Sequence, residues 1–171
     1  MFNTLSYIFN KYNLVYDHTT HLPLEIPNMV RDDLPDLFNE LGFKIGAEIG
    51  VESGAYSNVL LQKMPQATLY SIDPWKSYRA YRDHTSQSKL DQFYANTKEV
   101  LAKYGERSII IKKSSEEALQ DFKDESLDFV YIDANHAFAH VAFDIHYWLR
   151  KVRKGGKVRK GVRDRFSLFN P

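Results

Sequence analysis

Two residues that follow an apolar segment, Asp133 and His136, have the types and spacing of a proton-transfer pair. Histidine titrates near neutral pH, so it can accept the proton of a hydroxyl group that attacks an electrophile. A carboxylate three residues earlier can orient that histidine or bind a divalent cation. A purely structural alternative has Asp133 bonded to backbone and His136 capping the next helix. We predict that both residues are catalytic.

A glycine-containing turn lies earlier in the chain. Ile45–Ile49 is a short apolar segment, residues 50–54 read GVESG, and an amphipathic segment begins at Ala55. A second apolar segment, Thr68–Ile72, is followed by Asp73. This order of strand, glycine turn, helix and acid-terminated strand is typical of a nucleotide half-site in a parallel sheet, where the acid binds a ribose diol.

The spacing of the glycines indicates which nucleotide such a turn would bind. Dinucleotide sites use G-x-G-x-x-G, whose middle glycine lets the backbone reach the pyrophosphate. Here Gly46, Gly50 and Gly54 are spaced by four, and Glu52 stands where the middle glycine would be. Glu52 and Glu48 would repel a pyrophosphate, which argues against a nicotinamide-dependent oxidoreductase. S-adenosylmethionine, which has a ribose, a cationic centre and no phosphate, suits the two acids better.

Four motifs, in order along residues 28–157, resemble those of class I S-adenosylmethionine-dependent methyltransferases: EIGVESG, SIDPW, DFVYIDANHAF and LRKVRKGG. The I-D-x-x-H motif within the third is similar to that of the small-molecule and sugar O-methyltransferase branch. The resemblance implies transfer of a methyl group from S-adenosylmethionine to a small-molecule hydroxyl, for example that of a sugar. The alternative is a domain that binds the cofactor without catalysing transfer and works with a partner.

The same resemblance implies roles for residues at the turn and the strand ends. Glu48 would orient the amino-acid end of the cofactor, Asp73 would bind its ribose, and the segment after the third strand would hold its adenine. The cofactor-binding residues implied in this way are Glu48, Gly50, Gly54, Ser57, Asp73, Ser115 and Asp133. The serines could instead serve helix starts, and Trp75 could either line the adenine site or pack in the core.

A metal site is not predicted, although Asp133 is one available ligand. Metal-dependent relatives draw further ligands from the end of the fifth strand. In this chain the only acid after Gly156 is Asp164. We therefore expect S-adenosylmethionine as the cofactor, with a divalent metal at Asp133 as the less favoured alternative.

Hydrophobic periodicity predicts an α/β fold, a doubly wound and mostly parallel sheet. Helices, including one over residues 28–41, alternate with four strands at Ile45–Ile49, Thr68–Ile72, Ser108–Ile111 and Leu127–Ile132. We assign residues 1–27 to an N-terminal arm and 28–157 to the cofactor-binding domain. Residues 158–171 would be a basic, poorly ordered tail, because the sequence after Gly156 is too charged for a central strand. The C-terminal strands of the family's seven-stranded sheet would then be missing. Unless residues 156–162 pair with the uncovered edge in spite of their charge, that edge would favour a homodimer or a marginally stable chain that tends to aggregate.

Composition narrows the function classes. The absence of cysteine excludes disulfides and thiolate metal sites. Nine Lys and Arg residues stand against one acid between Arg150 and Arg165, whereas the rest of the chain has 14 basic and 21 acidic residues. An acidic body argues against nucleic-acid binding. The N-terminal segment is interrupted by Asn and Lys, so we predict no signal peptide, no membrane span and a cytoplasmic location.

Overall fold

The computed structural model describes residues 4–15, 24–77, 86–160 and 167–168. Its α-helices are α1 (Thr4–Lys11), α2 (Leu34–Glu40), α3 (Ala55–Lys63), α4 (Gln87–Leu101), α5 (Ser115–Ala118) and α6 (Phe138–Leu149). Its strands are β1 (Leu24–Glu25), β2 (Ile45–Ile49), β3 (Thr68–Ile72), β4 (Ser108–Ile111), β5 (Leu127–Ile132), β6 (Val152–Lys160) and β7 (Ser167–Leu168). Short 3-10 helices cover Arg31–Asp33, Ala102–Arg107 and Leu119–Asp121.

Five strands form one parallel sheet in the order β4-β3-β2-β5-β6, and β1 pairs with β7 separately in an antiparallel arrangement. Helices cover both faces, so the predicted doubly wound α/β fold is confirmed. The chain builds outward from β2 to β4 and then crosses back to β5. This reversal opens a crevice at the carboxyl ends of β2 and β5, which is where ligands bind in sheets of this kind.

Side chains of the central strands alternate between two apolar cores. On one face, Phe129 of β5 packs against Phe38 of α2, with ring centroids 4.6 Å apart. Gly46 leaves room for this ring, because a Cβ there would lie 2.1 Å from Phe129. On the other face, Val130 belongs to the core around Trp148 of α6. The sheet is therefore buried on both faces, as expected for parallel strands.

A row of polar side chains crosses the sheet near its carboxyl edge, on the face that packs against α3. Glu48 of β2 is in register with Ser71 of β3 on one side and with Tyr131 of β5 on the other. Tyr131 is in turn in register with Arg159 of β6. Each residue of this polar row is the next to last of its strand, so the row lies directly beneath the crevice.

The fifth strand of the main sheet, β6, corrects the prediction that the sheet stops after Leu127–Ile132. Lys157 and Arg159 are 6% and 5% exposed, and Val158 between them reaches the opposite core. Alternation allows this, because the long apolar stems of Lys and Arg can cover one face while the valine packs on the other. A Cβ at Gly156 would lie 2.4 Å from the Asp128 carbonyl oxygen, so the glycine permits the close approach.

Three predictions change with β6. The edge of β5 is covered, so the argument for a homodimer across that edge loses its basis. The boundary that we placed after residue 157 falls inside a strand, and residues 158–160 belong to the sheet rather than to a tail. The rest of the predicted tail lies outside the described residues, apart from β7.

The N-terminal segment packs against the domain at α1. Ile8 is fully buried in the core that contains Phe38 and Phe129, and Lys11 forms an ion pair with Glu40 of α2. Residues 16–23 of the predicted arm lie outside the described residues. In the part of the chain that the structure describes, no helix is long and apolar enough to span a membrane.

Candidate functional site

The turn after β2 has a backbone conformation that favours glycine. Gly50 and Gly54 have φ values of +88° and +83°, and Glu52 between them has +54°. A Cβ at Gly50 would lie 2.4 Å from the carbonyl oxygen of Asp133, and one at Gly54 would lie 3.1 Å from Cα of Thr97. Protein backbone, rather than open ligand space, therefore lies where either side chain would be. Both glycines are required by the fold whatever the turn binds.

Asp73, at the end of β3, organises the same turn with its carboxylate. Its Oδ2 accepts hydrogen bonds from the N–H groups of Val51 and Glu52, both at 3.0 Å. Its Oδ1 accepts one from the N–H of Trp75 at 2.7 Å. Burial raises the pKa of Asp73, and the three hydrogen bonds oppose that rise. A carboxylate has about four acceptor positions, so roughly one remains for a ligand hydroxyl.

Replacing Asp73 by Ala is expected to lower the free energy of unfolding by about 1–3 kcal/mol, because three backbone N–H groups, two of them partly buried, lose their acceptor. Urea denaturation measures this change. Asp121→Ala is a matched control, since Asp121 forms an exposed ion pair with Lys113 at 2.7 Å. Pairs of that kind contribute about 0–1 kcal/mol. Equal, small losses in the two variants would show that Asp73 does not hold the turn together.

Glu48 and Ser57 lie beneath the turn and not on its outer surface. They are 2% and 0% exposed, respectively. The hydroxyl of Ser57 donates to the Glu48 carboxyl and lies 2.8 Å from the hydroxyl oxygen of Ser71. These contacts join α3 to β2 and β3. In this structure the two side chains bond to each other beneath the turn, and their role as cofactor contacts stays a prediction.

Burial also changes the ionisation of Glu48. It raises the pKa of Glu48 from its usual 4.5 to about 8, although the hydrogen bond from Ser57 and the positive charge of Arg31 act in the opposite direction. At neutral pH the carboxyl is therefore largely protonated.

The buried Glu48 carboxyl is expected to make stability depend on pH. Between its usual pKa of 4.5 and about 8, the folded chain keeps a proton that the unfolded chain has released. The free energy of unfolding should therefore fall as pH rises through this window, by up to about 1.4 kcal/mol per pH unit. Urea denaturation of the wild type and Glu48→Gln across the window measures the effect. Parallel pH profiles of the two proteins would contradict it, because the variant has no group to titrate.

Ser115 of α5, which we predicted to lie near the adenine, forms hydrogen bonds to α6 through its hydroxyl. The hydroxyl donates to Asp144 of α6 and accepts a hydrogen bond from Nε1 of Trp148 at 2.8 Å. The neighbouring Ser114 is the residue that caps α5, in a reciprocal pair with Glu117. The Ser115 hydroxyl thus joins α5 to α6, and its contact with the cofactor stays a prediction.

A cleft of about 490 Å³ lies beyond the carboxyl ends of β3 and β4. Its lining residues are Pro74, Trp75, Lys76, Gln87, Lys112, Lys113 and Glu117. Trp75 is 1% exposed and packs against Tyr94 of α4, with ring centroids 4.8 Å apart. Its Nε1 donates to the carbonyl of Glu52 at 2.7 Å. Trp75 is therefore a core residue that also connects the cleft to the glycine turn.

The predicted catalytic pair lies at the carboxyl end of β5, beside the glycine turn. The N–H of Asp133 donates to the carbonyl of Ile49 at 2.8 Å. Nε2 of His136 lies 3.7 Å from Oδ1 of Asp133, and the histidine side chain is 64% exposed. The side chain that bonds to the backbone at the start of α6 is that of Asn135, not that of His136. Its Oδ1 accepts a hydrogen bond from the N–H of Ala137 at 2.9 Å. The imidazole of His136 is therefore available to an incoming molecule.

A third side chain, Arg31, lies beside Asp133 and His136 and was not predicted from the sequence. Its Nη1 lies 3.3 Å from Oδ2 of Asp133. Its Cζ lies 4.0 Å from the ring centroid of Tyr56 and 5.7 Å from that of Tyr131. The hydroxyl of Tyr56 donates to the Arg31 carbonyl at 2.9 Å, which fixes the segment on α3. Arg31 and Asp133 are 102 residues apart, so no local spacing could indicate their contact.

The sequence of this region matches a known protein family. A family model described as a methyltransferase domain matches residues 47–159, which contain the glycine turn, Asp73 and the Asp133–His136 pair. The chain belongs to this methyltransferase family. No curated protein sequence matches it.

Solved structures with the same fold include three methyltransferases. One, from Staphylococcus aureus, is provisionally assigned as a caffeoyl-CoA O-methyltransferase; it is 17% identical, with a TM-score of 0.57, over 91% of this chain and 63% of its own. A Podospora anserina methyltransferase with SAH bound is 14% identical, with a TM-score of 0.56, and the match covers 92% of this chain and 61% of that one. A Bacillus cereus O-methyltransferase in complex with SAH is 16% identical, with a TM-score of 0.53, and the match covers 88% of this chain and 61% of that one. The chain therefore spans less than two thirds of each of these structures, and the likeness shows the fold alone.

The possible metal ligands among the described residues of the chain do not form a metal centre. Within residues 4–15, 24–77, 86–160 and 167–168, no group of three or more His, Cys, Asp or Glu side chains could hold a metal ion. Asp133, the one ligand considered, instead faces the guanidinium of Arg31 and the imidazole of His136.

Proposed function

We propose that the chain transfers a methyl group from S-adenosylmethionine to the hydroxyl group of a small molecule, such as a sugar. The observation that carries the proposal is a juxtaposition at one edge of the sheet. The glycine turn, held by Asp73, packs against the backbone of Asp133, from which His136 is three residues away. The part that we propose to bind the nucleoside and the part that we propose to accept the proton would thus meet at the switch point between β2 and β5.

The residues at this edge suit the proposed cofactor. Asp73 would bind the ribose through its remaining acceptor capacity, and the neighbouring cleft of about 490 Å³ would take the adenine. The exposed Glu52 on the glycine turn provides negative charge there, which favours a cation and disfavours a pyrophosphate. When bound, S-adenosylmethionine supplies a methyl group activated by a positively charged sulfur.

The chain's own contribution to the reaction would come from His136 and Asp133. His136 would accept the proton that the acceptor hydroxyl releases, which requires the exposed imidazole to be neutral at the start. Asp133, 3.7 Å away, would stabilise the imidazolium that forms. Arg31 contacts the other oxygen of Asp133 and would hold the carboxylate in place.

Product analysis with a panel of hydroxyl-bearing sugars and phenols would test the proposal. Methylated product and an equal amount of S-adenosylhomocysteine are the expected result. Cofactor binding without any product would favour the alternative of a domain that binds the cofactor and works with a partner. Absence of both binding and product would contradict the proposed function as a whole.

A further inference from the structure

Arg31 uses little of its hydrogen-bonding capacity in this structure. A guanidinium carries five N–H donors. One contact, from Nη1 to Asp133 at 3.3 Å, is long for a charge-assisted hydrogen bond. Nε is buried and has no hydrogen-bond partner among the described residues. The side chain as a whole is 37% exposed, so its accessible donors are those of Nη1 and Nη2.

Two tyrosine rings fix the orientation of this guanidinium. Tyr56 lies beneath its plane at 4.0 Å, and Tyr131 flanks it at 5.7 Å. The tyrosine rings themselves pack together, with centroids 4.5 Å apart. An arginine that is stacked in this way loses less conformational entropy when it binds a ligand than a free one would.

Among the described residues, Asp133 is the acid that contacts the Arg31 guanidinium. Asp133 supplies one negative charge, whereas Glu48 beneath the turn has a pKa of about 8 and is largely uncharged at neutral pH. On the same face of the sheet, Arg159 lies beside Tyr131 and is 5% exposed, which places a second guanidinium in this part of the fold. Asp32 and Asp33, adjacent to Arg31 in the chain, are the other acids of the segment; Asp33 bonds to the N–H of Val30 at 3.0 Å.

We propose that Arg31 binds an anionic group of the acceptor, a carboxylate or a phosphate, while the acceptor hydroxyl lies at His136. Nη1 and Nη2 present two parallel donors, which match the oxygens of either group. The acceptor is therefore a hydroxylated acid or a phosphate ester rather than a neutral alcohol. This inference rests on the proposed function for the acceptor's chemistry, but the anion site itself can be tested without turnover.

Nuclear magnetic resonance of the arginine side chains of the full-length chain would test the anion site directly. Sodium acetate and inorganic phosphate are titrated separately, with and without S-adenosylhomocysteine, and Arg31→Lys identifies the Arg31 resonance. We expect a saturable shift at Arg31 with at least one anion, and the stronger response distinguishes carboxylate from phosphate. Arg150, 64% exposed and paired with Asp124 at 3.2 Å, is the internal control. No saturable shift at Arg31, or the same shift at Arg150, would overturn the inference.

Turnover provides the second test, with acceptors that differ only in charge, such as hydroxybenzoates and their methyl esters. Arg31→Gln also removes the contact with Asp133 and can slow both reactions, so the diagnostic quantity is KM: its rise for the charged acceptor is expected to exceed any rise for the ester by roughly 10-fold or more. Arg150→Gln should change neither KM. A similar rise in KM for acid and ester in Arg31→Gln would overturn the inference. Anion binding at Arg31 with no product from any acceptor would instead count against the proposed function.

Discussion

Gly50→Ala is expected to lower the free energy of unfolding by about 3 kcal/mol, because the added methyl group meets backbone at a left-handed φ. The added Cβ would lie 2.4 Å from the carbonyl oxygen of Asp133 and 2.7 Å from Cα of Ala134, at a φ of +88°. Backbone on both sides must move, because neither neighbour is the flexible end of a side chain. Urea denaturation would measure the loss.

Gly42→Ala separates the two causes of that loss. Gly42 also has a positive φ, +71°, but a Cβ there meets nothing within 4 Å. The control should therefore cost only the left-handed backbone strain, about 1 kcal/mol. If Gly50→Ala costs no more than Gly42→Ala, the close approach of the turn to the Asp133 loop does not contribute to stability.

His136→Ala is expected to reduce turnover by roughly 10²-fold or more, the usual contribution of a positioned general base. Its effect on cofactor affinity should be small, because the imidazole is 64% exposed and its recorded charged neighbour is Asp133. The rate constant kcat for methyl transfer and the dissociation constant for S-adenosylhomocysteine are the two quantities to compare.

His146→Ala is the matched control for the histidine experiment. His146 is also exposed and lies on α6, where it packs edge-on against Tyr147. Its removal should leave both kcat and cofactor affinity nearly unchanged. An active wild type with equal activity in His136→Ala would remove the histidine from the mechanism.

The sequence predicted the central part of the fold well, for a physical reason. The apolar segments of β2, β3 and β5 are largely buried on both faces and β4, at the sheet edge, is partly buried, so their composition distinguishes them from the amphipathic helices. In a parallel sheet the residues that follow such strands must meet at one edge. That is why Asp73, Asp133 and the glycine turn could be placed together before the structure was known.

Contacts that depend on burial or on distant segments could not be predicted in the same way. Lys157 and Arg159 read as solvent-exposed charges, but alternation in β6 buries their stems against the sheet. Ser57 and Glu48 have the residue types of ligand contacts, yet their hydrogen bond lies within the core. Arg31 falls in what periodicity predicts as one helix over residues 28–41, whereas a 3-10 helix precedes α2 there.

Calorimetric titration with S-adenosylhomocysteine, with NAD as the comparison ligand, tests the central claim most directly. The wild-type chain is predicted to bind S-adenosylhomocysteine and not NAD. Asp73→Asn, which keeps the shape of the side chain but loses its charge, is predicted to bind S-adenosylhomocysteine roughly 10-fold more weakly. Binding of NAD in preference, or of neither ligand by a folded wild-type chain, would contradict the assignment of this edge as a site for S-adenosylmethionine.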